Sequence, residues 1–168
     1  MKRALTWLAP IALMMTLPGC ALRPLYAEGG DGVVASSLGS TEVAPIRGQR
    51  GWLVRNALND RFHRQGEGNA RYRLEVELDD DITGFGVRRD NAISRERRTL
   101  RARYRLIDVA TGSVLLDQSA SADAGIDVTS SEYATAAAEQ TALERLSETL
   151  ADQIVARVAT YAGRSAPK

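Results

Sequence analysis

At 168 residues, 44% of them hydrophobic and 26% charged, the chain is sized for one ordinary domain and too polar for an integral membrane bundle. Its single cysteine, Cys20, and single histidine, His63, exclude an internal disulfide framework and make a zinc cage untenable. A formal charge of +1 provides no global attraction to nucleic acid or to acidic surfaces.

The N-terminus carries the first functional signal. Lys2 and Arg3 precede the uncharged run ALTWLAPIALMMTL, which leads into Pro18-Gly19-Cys20. A basic start, a short apolar middle and a small residue at the end predict a secretory signal over residues 1–19. The run is shorter than the roughly 20 apolar residues of a comfortable membrane span. The LPGC stretch resembles the lipobox of bacterial lipoproteins, with Leu17, Gly19 and Cys20 in the matching places and Pro18 as a departure. The resemblance implies that Cys20 becomes the first mature residue and carries acyl chains that hold the protein to a membrane. Several chains give stable attachment, at about 0.8 kcal/mol per buried CH₂. Ala21, rather than Asp, after the cysteine is the arrangement that many Gram-negative bacteria send to the outer membrane, facing the periplasm. Without residues 1–19 the chain has 20 Lys+Arg against 21 Asp+Glu.

Residues 20–39 read as the lipidated N-terminus and a Gly/Ser-rich flexible tether. One α+β domain is expected over 40–163, followed by a disordered tail at 164–168. TEVAPI suits a first strand that stops near Pro45. In GQRGWLVRNALNDRFHRQGEG, Val54, Leu58 and Phe62 recur every four residues beside Leu53 and Ala57, the stripe of an amphipathic helix closed by Gly66 and Gly68.

Two strands then alternate cleanly. Tyr72, Leu74, Val76 and Leu78 interleave with Arg71, Arg73, Glu75 and Glu77, and Leu100, Ala102, Tyr104 and Leu106 interleave with Arg101, Arg103 and Arg105. Each has one apolar and one charged face, so helices are expected on one side of the sheet only. Antiparallel pairing would bring Glu75 and Glu77 near Arg101 and Arg103. Between them ITGFGVRRDNAISRER is either a long excursion or a bent continuation of both strands. Thr111-Gly112 marks a hairpin turn into a fourth strand, VLLDQSASADAG. A long helix follows, with Tyr133, Ala136, Ala137, Gln140, Leu143, Leu146, Leu150, Ile154, Val158 and Tyr161 on one stripe, Ser130 or Ser131 as N-cap and Gly163 as stop. The order β-α-β-β-β-α predicts a two-layer sandwich: a four-stranded mixed sheet with two helices on one face.

No catalytic constellation or cofactor motif stands out. His63 lacks a recognisable Ser or Asp partner, Gly84-Phe85-Gly86 is too short for a phosphate loop, and Asp79-Asp80-Asp81 lacks the ligand spacing of a calcium loop and reads as a solvated strand end. An enzyme, a metal site and a cofactor are therefore not expected. What remains is an arginine concentration: Arg88, Arg89, Arg95, Arg97, Arg98, Arg101, Arg103 and Arg105, against Asp90 and Glu96 in the same window. Guanidinium groups hold phosphates through paired hydrogen bonds, which makes the first seven anion-binding candidates. The alternative is that the strand arginines answer the neighbouring carboxylates. Nucleic acid is a poor partner for an exported, lipid-anchored chain.

CALRPLY, RGWLVRNAL, RYRLEVEL, RYRLIDVATGSVL and SSEYATAAAEQTALERLSETLADQIVARV, in this order behind a lipobox, resemble the LptE family of lipopolysaccharide-assembly lipoproteins in its alphaproteobacterial form, over about residues 20–163. Ala21 and Leu22 are mild departures from the family's start. The resemblance implies a non-enzymatic outer-membrane lipoprotein that plugs an LptD-like β-barrel, supports the folding of that barrel and binds lipopolysaccharide (LPS). The competing reading is an auxiliary lipoprotein of an ABC-type lipid transporter.

Overall fold

The computed structural model describes residues 32–62, 70–87 and 93–165. Three helices and four strands follow one another as α1 (Val33–Gly39), β1 (Thr41–Val43), α2 (Gly48–Phe62), β2 (Tyr72–Val87), β3 (Ile93–Asp108), β4 (Val114–Asp127) and α3 (Glu132–Ser165). The strands form one mixed sheet in the order β1-β2-β3-β4, with β1 and β2 parallel and the other neighbours antiparallel. From β1 onward this is the expected β-α-β-β-β-α arrangement, an α+β sandwich of helices on one face of a sheet.

The core lies between α2, α3 and that face. Val54, Ala57, Leu58 and Phe62 of α2 are buried, as are Leu143, Leu146, Leu150, Ile154 and Val158 of α3. They meet Leu74 of β2 and Leu100, Ala102, Tyr104 and Leu106 of β3. The four-residue period on the helices and the two-residue period on the strands thus turn the same side chains inward. Both long elements have matched reach: α3, at about 1.5 Å per residue, and β3, at about 3.3 Å per residue, each run about 50 Å. Ser131 is the N-cap of α3, its Oγ accepting from the Ala134 N–H at 3.3 Å. The β3–β4 turn is as read: the Asp108 carboxylate accepts from the Ala110 and Thr111 N–H groups, and Gly112 takes a φ of 68° that other residues resist.

Three expectations need correction, and one open alternative is decided. Residues 33–39 fall in the stretch read as tether, yet they form α1; Leu38 is buried in the core and Val34 packs at its margin, so two apolar side chains gave the segment a docking surface that its small-residue composition concealed. Gly163 does not end α3, which runs to Ser165, also taking in the start of the expected tail. Val34 Cγ2 lies 3.6 Å from the place a Cβ would occupy on Gly163, an ordinary contact distance, so α1 packs here without requiring a glycine. The first turns of α3 do not join the core: Tyr133 is 85% exposed, and Ala136 and Ala137 are exposed as well. The long excursion is excluded over its described residues, since β2 and β3 continue as paired strands to Val87 and Ile93.

Gly51 inside α2, by contrast, has no room for a side chain. A Cβ on it would sit 2.6 Å from the Ile46 carbonyl oxygen and 2.7 Å from the Ile46 carbonyl carbon, so the loop entering the helix is pressed against bare backbone. Gly51→Ala is expected to destabilise the fold by about 1–3 kcal/mol despite the better helix propensity of alanine. A urea midpoint equal to or above that of the parent would refute the close approach.

Candidate functional site

Opposite the helices, the odd-numbered residues of β2, β3 and β4 form an open face. Register decides its electrostatics. Glu75 stands opposite Arg105, Glu77 opposite Arg103 and Asp79 opposite Arg101, while Asp117, Ser119 and Ser121 of β4 flank the same three arginines. The expected proximity of Glu75 and Glu77 to Arg101 and Arg103 is therefore offset by two residues for Glu75 and Arg101. Arg105 Nη2 donates to Glu75 Oε2 at 2.9 Å, Arg101 Nη1 to Asp79 Oδ2 at 3.4 Å, and Arg103 donates to both Asp117 carboxylate oxygens at 3.1 and 2.9 Å. The Arg103 hydrogen bonds hold the Asp117 carboxyl below the usual carboxylate range. A shallow depression of about 440 Å³ is walled by both signs of charge, Arg101 and Arg103 with Glu77 and Asp79, and floored in part by Ser119, Ala120 and Ser121.

The arginine excess counted along one strand is thus cancelled across the sheet. Arg73, Arg95, Arg97, Arg101, Arg103 and Arg105 share the open face with Glu75, Glu77, Asp79, Asp81, Asp117, Asp123 and Asp127. Arg101, Arg103 and Arg105 answer carboxylates, the plainer of their two readings. Such exposed pairs are worth about 0–1 kcal/mol each, so they shape a surface more than they stabilise a fold.

Toward the distal end the pattern changes. Arg95 reaches Asp127 at 3.2 Å with both side chains well exposed. Arg97 stands opposite Thr83 and Gly125, and among the described residues it has no ion-pair partner. Its guanidinium lies over the Phe85 ring instead, 5.6 Å from the centroid, and Phe85 is 41% exposed. Sequence reading passed over Phe85 as part of a failed glycine motif. Continuing the two-residue alternation of β2 through Gly84 would have placed it on the arginine side.

Arg98 is misplaced in the candidate set. The alternation of β3 puts it on the helix side, where it is 11% exposed, pairs with Asp80 at 2.7 Å and donates through Nη1 to the Glu139 carbonyl at 2.8 Å. Asp80 is correspondingly no part of a solvated strand end: its side chain is 6% exposed and also accepts from Arg50 of α2 at 3.3 Å. A guanidinium enclosed this way supports the fold and presents nothing to a ligand. Arg88, Arg89 and Cys20 lie outside the described residues, as does His63. Among the described residues no cluster of His, Cys, Asp or Glu is arranged to hold a metal ion, and no helix is long and apolar enough to cross a membrane.

Comparison with known proteins places this geometry. The family model for LptE, described as lipopolysaccharide-assembly, matches residues 38–158, from the end of α1 to the last turns of α3. The chain belongs to the LptE family. A protein from Caulobacter crescentus described as a lipoprotein, solved by crystallography, is 26% identical, with a TM-score of 0.67 over 82% of this chain and 100% of that one. The rare lipoprotein B of Shewanella oneidensis superposes with a TM-score of 0.59 at 9% identity, covering 74% and 95% of the two chains. A minor lipoprotein of Acinetobacter baumannii gives 0.55 at 13%, covering 71% and 88%. At those identities the last two show the shared fold alone. No curated protein matches the chain by sequence. Family membership assigns this LptE protein to lipopolysaccharide assembly and outer-membrane biogenesis.

Proposed function

We propose that this LptE protein is a non-enzymatic scaffold, fastened to the periplasmic side of the outer membrane through acylated Cys20, that seats in the polar interior of an LptD-like barrel, supports its folding and binds LPS. The observation that carries the reading is the open sheet face: three strands uncovered by any of the described helices, studded with charges of both signs in nearly equal number. A water-lined barrel interior offers the polar partners such a face requires, and an apolar partner would leave its charges desolvated without compensation. The distal part adds a ligand chemistry. Arg97, without a carboxylate partner among the described residues and stacked on exposed Phe85, combines a phosphate-binding fork with an aromatic edge, and the described ion pair of Arg95 is an exposed one that costs little to open. Arg88 and Arg89 remain candidates from sequence alone.

The test is extraction of the native protein in mild detergent. Co-purification of an outer-membrane β-barrel is the expected result; recovery with an inner-membrane ABC transporter instead would establish the auxiliary-lipoprotein reading. Within the same preparation Arg95→Glu/Arg97→Glu is expected to weaken LPS binding by about tenfold or more at low salt, with unchanged thermal unfolding. Equal affinity for both proteins would remove these two arginines from the ligand site.

A further inference from the structure

The sheet ends on a long strand whose outer side is open. β4 pairs with β3 through its even-numbered residues, as the Val128 N–H bond to the Ser94 carbonyl at 3.0 Å and the register Ser94-to-Val128, Glu96-to-Ile126 show. In an antiparallel ladder the alternate residues then aim both backbone groups away from the sheet. Those are Asp117, Ser119, Ser121, Asp123, Gly125 and Asp127. Among the described residues their one outward backbone bond is from Gln153 Nε2 of α3 to the Ser121 carbonyl, at 3.2 Å. The N–H groups of Ser119, Ser121, Asp123 and Gly125 have no partner there.

Strand edges of this length are ordinarily guarded by lysine, proline or a bulge. From Asp117 to Asp127 β4 has none of these, and its one register irregularity lies at its start, across from Leu106 and Ile107. What it has is one sign of charge. Asp117, Asp123 and Asp127 line the edge on the open face, β4 contains no basic residue, and Asp123 has no ion-pair partner among the described residues. On the helix side the edge shows Ala120, Ala122 and Ala124, side chains short enough to let a neighbouring strand approach. Pairing with a second copy of β4 would bring two acidic rows together, so the edge is coded against itself.

We infer that the outer edge of β4 is a strand-addition surface that takes an extended, basic segment of the protein partner, with Lys or Arg on the open-face side beside Asp123 and small or apolar residues over the alanines. The inference rests on the reading of the protein as part of a complex with an outer-membrane barrel and adds the contact by which that partner is held.

Hydrogen exchange resolved to single amides, on the full-length protein alone and in its detergent-extracted complex, tests it. Alone, the Ser119, Ser121, Asp123 and Gly125 amides are expected to exchange quickly while Ala120, Ala122 and Ala124 stay protected; in the complex the first set should slow by at least roughly tenfold. Ser121→Pro deletes one outward N–H at an edge position where proline is tolerated, and should weaken co-purification by about tenfold, whereas Ser121→Ala, which keeps that N–H, should not. An independent arm uses a synthetic peptide of about ten residues alternating lysine with threonine, expected to protect the same amides, and less so in Asp123→Lys. Outward amides already protected in the isolated monomer would mean that another part of the chain covers the edge, and protection that appears with self-association would make a second copy the occupant; either overturns the inference. A barrel complex with unchanged edge amides and an indifferent Ser121→Pro overturns it while the proposed function stands. If no barrel co-purifies, the proposed function fails, and the peptide alone decides: unprotected amides refute the edge.

Discussion

Replacing Arg98 by methionine is expected to lower folding stability by up to about 3–5 kcal/mol, the range for leaving one member of a buried ion pair behind, with Arg50 offsetting part of the loss. Arg98 holds Asp80 in a two-pronged contact, Nε to Oδ1 at 2.9 Å and Nη2 to Oδ2 at 2.7 Å, and its remaining Nη1 closes on the Glu139 carbonyl of α3. Arg50 of α2 reaches the same carboxylate from a half-exposed position. The Arg98–Asp80 pair therefore ties β2, β3, α2 and α3 together, Arg98 reaching α3 and Asp80 reaching α2. Without Arg98, Asp80 is enclosed with Arg50 as its only described cationic partner. Arg95→Met, which breaks the fully wet pair with Asp127, serves as the control and should change stability by less than about 1 kcal/mol. Converting both members, Asp80→Leu with Arg98→Met, should recover most of the loss, because no charge is then buried alone.

The same pair sets an acid limit. The Arg98 hydrogen bonds, opposed in part by burial, hold the Asp80 carboxyl below the usual carboxylate range. A carboxyl whose folded value is depressed stabilises the native state fully above its unfolded value, and that contribution disappears as the pH falls through the folded value. The gap in urea midpoint between the parent and Arg98→Met should therefore be widest near neutrality and close below about pH 4. A gap that persists undiminished into strong acid would show that Arg98 acts through packing of its stem and not through Asp80.

Local pattern made most of the architecture legible. The Val54-Leu58-Phe62 stripe, the alternation of β2 and β3 and the Thr111-Gly112 turn each depend on neighbours within one element, and each appears where expected. What local pattern does not contain is register. The charge of the open face was readable strand by strand, yet its cancellation depends on Asp79 facing Arg101 and on Asp117 reaching Arg103, which sheet assembly decides. Arg98 was different: it sits two residues before Leu100 and belongs by parity to the apolar side, so counting arginines along the window overrode a signal already present. For α1 the surrounding stretch was small and Gly/Ser-rich, and only the docking of Leu38 and Val34 reveals why it folds.

Tyr104→Ala is expected to remove another 3–5 kcal/mol or so, the range for emptying a large aromatic from a packed interior. Tyr104 lies in the C-terminal half of β3, fully buried, with Val76 and Gln118 as its cross-strand neighbours and the apolar stripe of α3 above the sheet. Its ring fills the core, while its hydroxyl contributes little. The contact to Gln118 Oε1 is 3.5 Å, at the edge of a hydrogen bond, and that same oxygen accepts from Arg157 at 3.0 Å. Burial accordingly pushes the phenol above its ordinary pKa, and the nearby Arg157 charge offsets only part of that loss of water around an ionised oxygen. Tyr104→Phe should therefore cost less than about 1 kcal/mol, and the contrast between the two substitutions separates volume from polarity. The alanine variant has a second expected effect, because Arg103 and Arg105 flank this position on the opposite face of the same strand. A slackened β3 would loosen their pairs with Asp117 and Glu75, so amide exchange at Arg103 and Arg105 should accelerate in Tyr104→Ala and stay at the parent rate in Tyr104→Phe. Equal loss of stability in both variants would show that the hydroxyl, and not the ring, holds the sheet to its helices.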